Sequence, residues 1–454
     1  MKNAIHITAL VFVVILVTGA LLAQDSQSAA TSEATAPLLT VDEAVALAVA
    51  NNRLVKNSSL EAEKFDYQIH ATATRRRPQF NVSVLGGMLL NPIDFTFPAG
   101  LFGVFPGIGP FPPTQTTITT PRRPSVLSMG TINQPITQQY KIGLGIRVQE
   151  LGRDITREDV RLERQKVEAN VRKAYFELIA TQTGADAARQ GVTALRDAKT
   201  VAERYAAERA ILSADLLEIE ARLAKQEYQL AVAENGLATQ REHLNQLMGR
   251  EIAVKFRVSS TPEVEPIPLS LDSARQRAIA NRPEIQQANL KQQQAEYAKR
   301  IAKAGAIPDV SFNVSYFGVN NVDFVPRNYA IAGIYLSWEP FDWQRRRDEV
   351  AERSLTINQA KNAVAETESQ IAVEVGMRFR KWRETLLLMK SAALTQQARA
   401  EQLRVANNKF KENAALVKDV LQVQAQSAEA DYQYQESLSQ YWSALADLRK
   451  AMGE

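Results

Sequence analysis

The chain has 454 residues, a length that allows two or three domains. Its 54 Lys and Arg nearly balance 50 Asp and Glu, which argues against both a nucleic-acid footprint and an acidic solvating tail. It has no cysteine, so disulfides, thiolate metal sites, cysteine nucleophiles and the lipid-bearing cysteine of a bacterial lipoprotein are excluded.

The first element in chain order is a secretory signal over residues 1–23. Lys2 supplies its charge, residues 9–16 its apolar centre, and Ala20-Leu21-Leu22-Ala23 its small-residue end, with cleavage expected after Ala23. A leader rich in Ser, Ala and Thr follows at 24–37. No later stretch approaches the run of about 18 apolar residues that a membrane helix needs, so a mature chain that spans a membrane must do so as a closed barrel.

A short helix is predicted at 41–51, with Asp42 in its first turn, where a carboxylate suits the helix dipole. A second runs to about Arg77, and Pro78 stops it. A strand follows at about 79–90, where Phe80, Val82 and Val84 alternate with Asn81 and Ser83. Residues 91–124 hold eight prolines, four glycines and five interspersed phenylalanines, and read as a long outward loop or an unstructured insertion. A return strand is predicted at about 125–135. From 138 a proline-free helix runs to Tyr205, reverses at 208–214, and returns to Gly249. Leu216, Leu223, Leu230, Leu237 and Leu244 form a heptad on the returning helix, which predicts an antiparallel coiled-coil hairpin. Residues 250–267 link to the second half.

That half repeats the plan. LSLDSARQRAIAN at 269–281 follows LTVDEAVALAVAN at 39–51 without a gap. Asp42 answers to Asp272, Asn51 to Asn281 and Pro78 to Pro308; in a second register Asp215 answers to Asp419 and Met248-Gly249 to Met452-Gly453. The halves are therefore read as repeats, 38–249 and 268–454. The second has helices at 271–281 and to about Ile307, strands at about 309–319 and 329–340, and a helical hairpin at 342–453 that reverses at 412–418. Each return strand is expected to end at a proline, Pro135 or Pro340. A helix of nearly seventy residues extends ~100 Å, far beyond a core helix. Four strands of bilayer-crossing length cannot close a barrel, so copies of the chain must pool them.

The openings LTVDEAVALAVANN and LSLDSARQRAIANRPE, the phrase LSWEPFDWQRRR and the closing YWSALADLRKAMGE resemble the TolC-like outer-membrane efflux protein family over residues 38–454. The resemblance implies an α+β membrane protein. Three copies would share a 12-stranded barrel in the bacterial outer membrane, above an α-helical tunnel that extends into the periplasm. It also implies an exit duct that serves an efflux pump or a type I secretion system. The implied partners are two further copies, a periplasmic adaptor (membrane fusion) protein, an inner-membrane pump or secretion ATPase, and outer-membrane lipid; no nucleic acid and no cofactor is implied.

The family's periplasmic gate maps onto Asp419, with Phe410 as the gate aromatic nine residues earlier. Asp215, Tyr205 and Glu218 are the gate residues carried over to the first repeat. Three copies of Asp419 around one axis would form a cation-favouring ring. The chain departs from the family at Ala415, where an arginine is expected, and at Gln422, where a second acid is expected. Both tips lack the usual glycine. The adaptor-docking turns map onto Ala210, Ile211, Leu212 and Ser213, and onto Ala414, Ala415, Leu416 and Val417. Arg75, Arg76 and Arg77, with Arg345, Arg346 and Arg347, are candidates for lipid phosphates; Trp338, Phe341 and Trp343 are candidates for an aromatic girdle.

No catalytic or metal site is predicted. His6, His70 and His243 stand apart, and no zinc-protease, P-loop or nucleophile-elbow motif occurs. The competing reading is a periplasmic coiled-coil scaffold or adaptor without a pore, and the alternating strands argue against it.

Overall fold

The computed structural model describes residues 37–120, 122–208, 212–259, 264, 267–321, 326–412, 414 and 417–454. The signal segment, the leader up to residue 36 and the tip residues Ala210, Ile211, Ala415 and Leu416 lie outside the described residues. Among the described residues no helix is long and apolar enough to cross a membrane.

The chain divides into two compact units, and each draws on both halves of the sequence. One comprises residues up to Glu61, 156–288 and 363–454; the other comprises 62–155 and 289–362. The boundaries fall within helices.

The first unit is helical. Helix α1 (Val41–Asn51) begins where Thr40 and Glu43 cap one another: Thr40 N donates to Glu43 Oε2 at 2.9 Å, and Glu43 N donates to Thr40 Oγ1 at 3.3 Å. Ser270 and Ser273 do the same for the helix over Leu271–Asn281. The following helices are α2 (Arg53–Thr74), α3 (Gln138–Ala207, 70 residues) and α4 (Ser213–Leu247). The second half supplies α5 (Leu271–Asn281), α6 (Pro283–Ala304), α7 (Arg345–Lys411, 67 residues) and α8 (Val417–Met452). Helices α2 and α6 stop at Thr74 and Ala304, three residues short of Arg77 and Ile307. The residue before a proline avoids helical backbone, so a turn precedes Pro78 and Pro308.

Two apolar cores fill this unit. One is built on Tyr175, Leu178, Leu244 and Met248; the other is built on Val375, Tyr441, Leu448 and Met452. Trp442 packs against both. The leucine heptad faces inward, and Leu237 and Leu244 at its far end are buried. The linker contributes to this unit as well. Its strand β8 (Arg257–Val258) pairs in parallel with β1 (Leu38–Leu39), and Tyr175 Oη donates to Leu39 O at 2.7 Å between them.

The second unit holds one four-stranded antiparallel sheet, in the order β10-β9-β7-β2. Its strands are β2 (Gln79–Met88), β7 (Pro124–Pro135), β9 (Asp309–Asn320) and β10 (Asn328–Ser337). Strand β10 ends three residues before Pro340. Residues 338–344 form a separate connection, in which Trp343 and Gln344 take φ of 54° and 70° and turn the chain into α7. The outer strands β2 and β10 are exposed along their whole length and carry no charged residue and no proline.

The 91–124 insertion is not structureless. Strand β3 (Asp94–Phe97) pairs with β6 (Thr116–Thr119), and β4 (Val104–Phe105) pairs with β5 (Gly109–Pro110). Gly100, Gly103, Gly107 and Gly109 all take positive φ, which makes such tight reversals possible. Phe102 lies against Phe97 and Phe111, with ring centroids 5.6 and 6.1 Å apart.

Candidate membrane sheet and hairpin tips

Strand register gives the sheet two chemically distinct faces. On one face Phe80, Ile132, Val314 and Ala332 lie side by side, followed by Val82, Gly130, Tyr316 and Ala330. Leu336 and Val310 continue this face at one end. Much of it is open: Val82 is 80% exposed and Ile334 74%, values usual for lysine and not for valine or isoleucine in a soluble core. On the other face Gln79, Asn133, Asn313 and Gly333 form one row, and Asn81, Thr131, Ser315 and Ile331 the next. Ser315 Oγ donates to Asn313 Oδ1 at 2.7 Å. Asn133 Oδ1 is enclosed and has no hydrogen-bond partner among the described residues, so this face calls for water or another donor.

The predicted interface residues lie at the helical end of these strands. Arg75, Arg76 and Arg77 form the turn after α2, and Gln134 Nε2 donates to Arg76 O at 3.0 Å. In the second triplet, Arg345 and Arg346 pair with acids of the same chain. Arg345 meets Glu339 at 2.6 Å and Glu349 at 3.1 Å. Arg346 meets Asp342 at 3.2 Å and Glu339 at 3.3 Å, and Arg347 donates to Gln344 Oε1 at 3.1 Å. Trp338, Phe341 and Trp343 are all exposed, and Phe341 and Trp343 meet edge to face at 5.0 Å.

At the hairpin tips, Asp215 and Asp419 are each the third residue of a returning helix, α4 and α8. Asp419 is exposed, as are Tyr205 and Phe410 near the ends of the outgoing helices. Glu218 is paired with Arg222 one turn along α4, so its carboxylate is not left as a bare charge. Leu212, Ser213 and Ala414 are exposed at the turns, and Leu212 is 72% exposed at the cap of α4, where it provides no side-chain cap. Val417 opens α8.

The structure also joins residues that the sequence marked only as repeats. Gly249 and Gly453 take φ of 68° and 82° just beyond α4 and α8. A Cβ on Gly249 would lie 2.5 Å from Asn51 O, and one on Gly453 would lie 2.8 Å from the Asn281 carbonyl carbon. Each glycine thus lets the end of a long helix rest on the end of a short one. The adjoining side chains complete the joint. Asn52 Nδ2 donates to Leu247 O at 2.8 Å; Arg282 Nη1 reaches Lys450 O and Ala451 O, both at 3.4 Å. The signal was present in the paired Asn51/Asn281 and Met-Gly positions, but their contact is long-range.

Residues 274–454 match the family model described as outer membrane efflux protein. This region of the chain is similar to outer membrane efflux proteins. Its location is the outer membrane. A search of curated proteins gives no significant match. Among solved structures, the chain is similar to the CmeC outer membrane channel of Campylobacter jejuni, with TM-score 0.72 and 15% identity over 91% of this chain and 85% of that one. It is similar to VceC of Vibrio cholerae, with TM-score 0.66 and 12% identity over 91% and 96%. The open-state MtrE channel of Neisseria gonorrhoeae gives TM-score 0.66 and 16% identity over 91% and 88%. The mostly helical α+β fold of these channels is the fold of this chain.

Proposed function

We propose that three copies of the chain form an outer-membrane channel, the exit duct of a tripartite efflux pump or a type I secretion system. The observation that carries this reading is the sheet. Four antiparallel strands leave both edges unpaired, and the edge strands lack the charges and prolines with which soluble proteins blunt such edges. An apolar face lies open beside them. Joining β10 of one copy to β2 of the next satisfies both edges, and three copies give twelve strands with room for a lumen. Lipid covers the apolar face. The exposed, small or apolar turns at Leu212, Ser213 and Ala414 suit docking onto the helical hairpins of a periplasmic adaptor, which in turn meets an inner-membrane transporter. Asp419, repeated about the axis, supplies an acidic ring at the entrance.

Single-channel recording of purified protein in a planar bilayer tests this. The expected result is large, cation-preferring steps whose block by divalent ions weakens in Asp419→Ala. A protein that remains soluble and monomeric without detergent would overturn the reading.

A further inference from the structure

One face of the sheet changes character along its length. Near the helical end, the face assigned above to the lumen carries Gln79, Asn81, Asn133 and Asn313. Farther along, the same face carries Met129, Phe317 and Tyr329 in one row with Ser83, then a row of Leu85, Leu127 and Val319. Phe317 and Tyr329 stack with centroids 4.9 Å apart. At the same level the opposite face is mixed: Val84, Ser128, Gly318 and Asn328 form one row, and Gly86, Val126 and Asn320 the next. Leu85, Leu127, Met129 and Tyr329 are exposed, so neither the insertion nor any other described part of the chain covers them.

We propose that the six apolar residues of these two lining rows form an apolar collar inside the barrel near its outer end, a dry constriction that disfavours hydrated ions and admits solutes with apolar surface. A side chain on this face of the sheet has two environments available. If the strands alternated regularly to the end, the lining would remain polar and the outer surface apolar. The lining instead turns apolar on the far side of the polar zone, while the outward face mixes Val84 and Val126 with Ser128, Asn328 and Asn320. Apolar rings in a narrow aqueous passage gate by expelling water, and ions pay the cost of lost hydration there. The distance from the Asn81 row to the Leu85 row is ~13 Å along the strand, enough to separate a wet zone from a dry one. The inference rests on the channel reading, because only a closed barrel has an interior.

The chain's lack of cysteine makes the test direct. Asn81→Cys, Leu127→Cys and Val82→Cys are made singly in the full-length protein and reconstituted in phosphatidylcholine vesicles. Each is treated with a charged, membrane-impermeant methanethiosulfonate and with the small neutral methyl analogue. Each is also labelled with bimane and tested for quenching by brominated lipid. The collar predicts that Asn81→Cys reacts quickly with both reagents. It predicts that Leu127→Cys keeps pace with the neutral reagent but lags roughly tenfold with the charged one. Bimane at Val82 should be quenched by lipid, and bimane at Leu127 should not. Equal rates for the charged reagent at Asn81 and Leu127 would overturn the collar while leaving the channel intact, as would lipid quenching at Leu127. Rapid charged labelling of Val82→Cys would mean that the sheet lies outside the bilayer, and the channel reading would fail with it.

Discussion

The two helical hairpins share a plan but are fastened by different chemistry. Between α3 and α4 the rungs are ion pairs: Arg189 with Glu234 at 2.8 Å, Arg196 with Glu227 at 2.7 Å, and Lys199 with Glu220 at 2.9 Å. Between α7 and α8 the corresponding stretch is tied by amides, with Gln396 donating to Asp431 at 2.9 Å and Arg399 donating to Gln426 at 3.0 Å. At the opposite ends of the hairpins the contrast reverses. The first joint is closed by a neutral amide, Asn52. The second is closed by Arg282, a buried guanidinium that also pairs with Glu284 at 2.6 Å and Glu374 at 2.9 Å. One backbone arrangement therefore tolerates either chemistry, provided each polar group finds a partner.

The largest effect should come from what the two joints have in common. Gly249→Ala places a side chain in left-handed backbone and against Asn51 O, and it should cost about 4 kcal/mol. Gly453→Ala should behave alike, and thermal unfolding followed by circular dichroism would show whether it does. A much milder loss at either site would mean that the joint can open without unfolding its helices.

The next effect sharpens the contrast between the joints. Arg282→Met strands Glu284 and Glu374 beside buried surface and should cost about 3 kcal/mol, whereas Asn52→Ala removes one neutral hydrogen bond and should cost about 1 kcal/mol. Denaturant midpoints for the pair give the comparison. If the two losses are equal, the charge cluster contributes no more than the single amide.

The smallest effect lies in the rungs. Arg196→Ala should cost under about 1 kcal/mol, and that cost should shrink at molar salt; Arg399→Ala should be insensitive to salt. The hydrogen bond that Lys199 donates to Glu220, with that carboxylate's charge, holds the Lys199 ammonium above the usual lysine range. Its contribution is complete below that range and is lost as pH rises through the raised value, so alkaline titration should loosen the first hairpin before the second. Hydrogen exchange resolved by segment would report the order.

Most of the fold was legible because its signals are local. Pro78 and Pro308 end helices, Phe80-Asn81-Val82-Ser83 alternates, and the leucine heptad from Leu216 to Leu244 marks a seam. Contacts that depend on distant residues were not legible. The rests of Gly249 on Asn51 and Gly453 on Asn281 bring together positions about two hundred and about one hundred and seventy residues apart, and periodicity carries no such information. The small hairpins at 94–119 were masked by their own composition, since proline and glycine density reads as loop even where short strands pair. The pairing of Arg345 and Arg346 with Glu339 and Asp342 was not legible, because those acids lie on the other side of a turn whose sharpness only the backbone reveals; Glu349, one helical turn along from Arg345, was in plain view. At the candidate entrance, the family resemblance implies roles for Asp419 and Phe410, but a ring around an axis is a property of several copies.

The unblunted strands β2 and β10 have a consequence for the life of the newly made chain. A lone copy offers two sticky templates, each about ten residues long, and nothing in either strand discourages a stranger from pairing there. Maturation then becomes a race between correct partnering, which speeds up with local abundance, and wrong partnering, which does the same. A cell making this protein would gain from synthesising and delivering copies close together in time and space, or from an escort that covers the strands until their neighbours arrive.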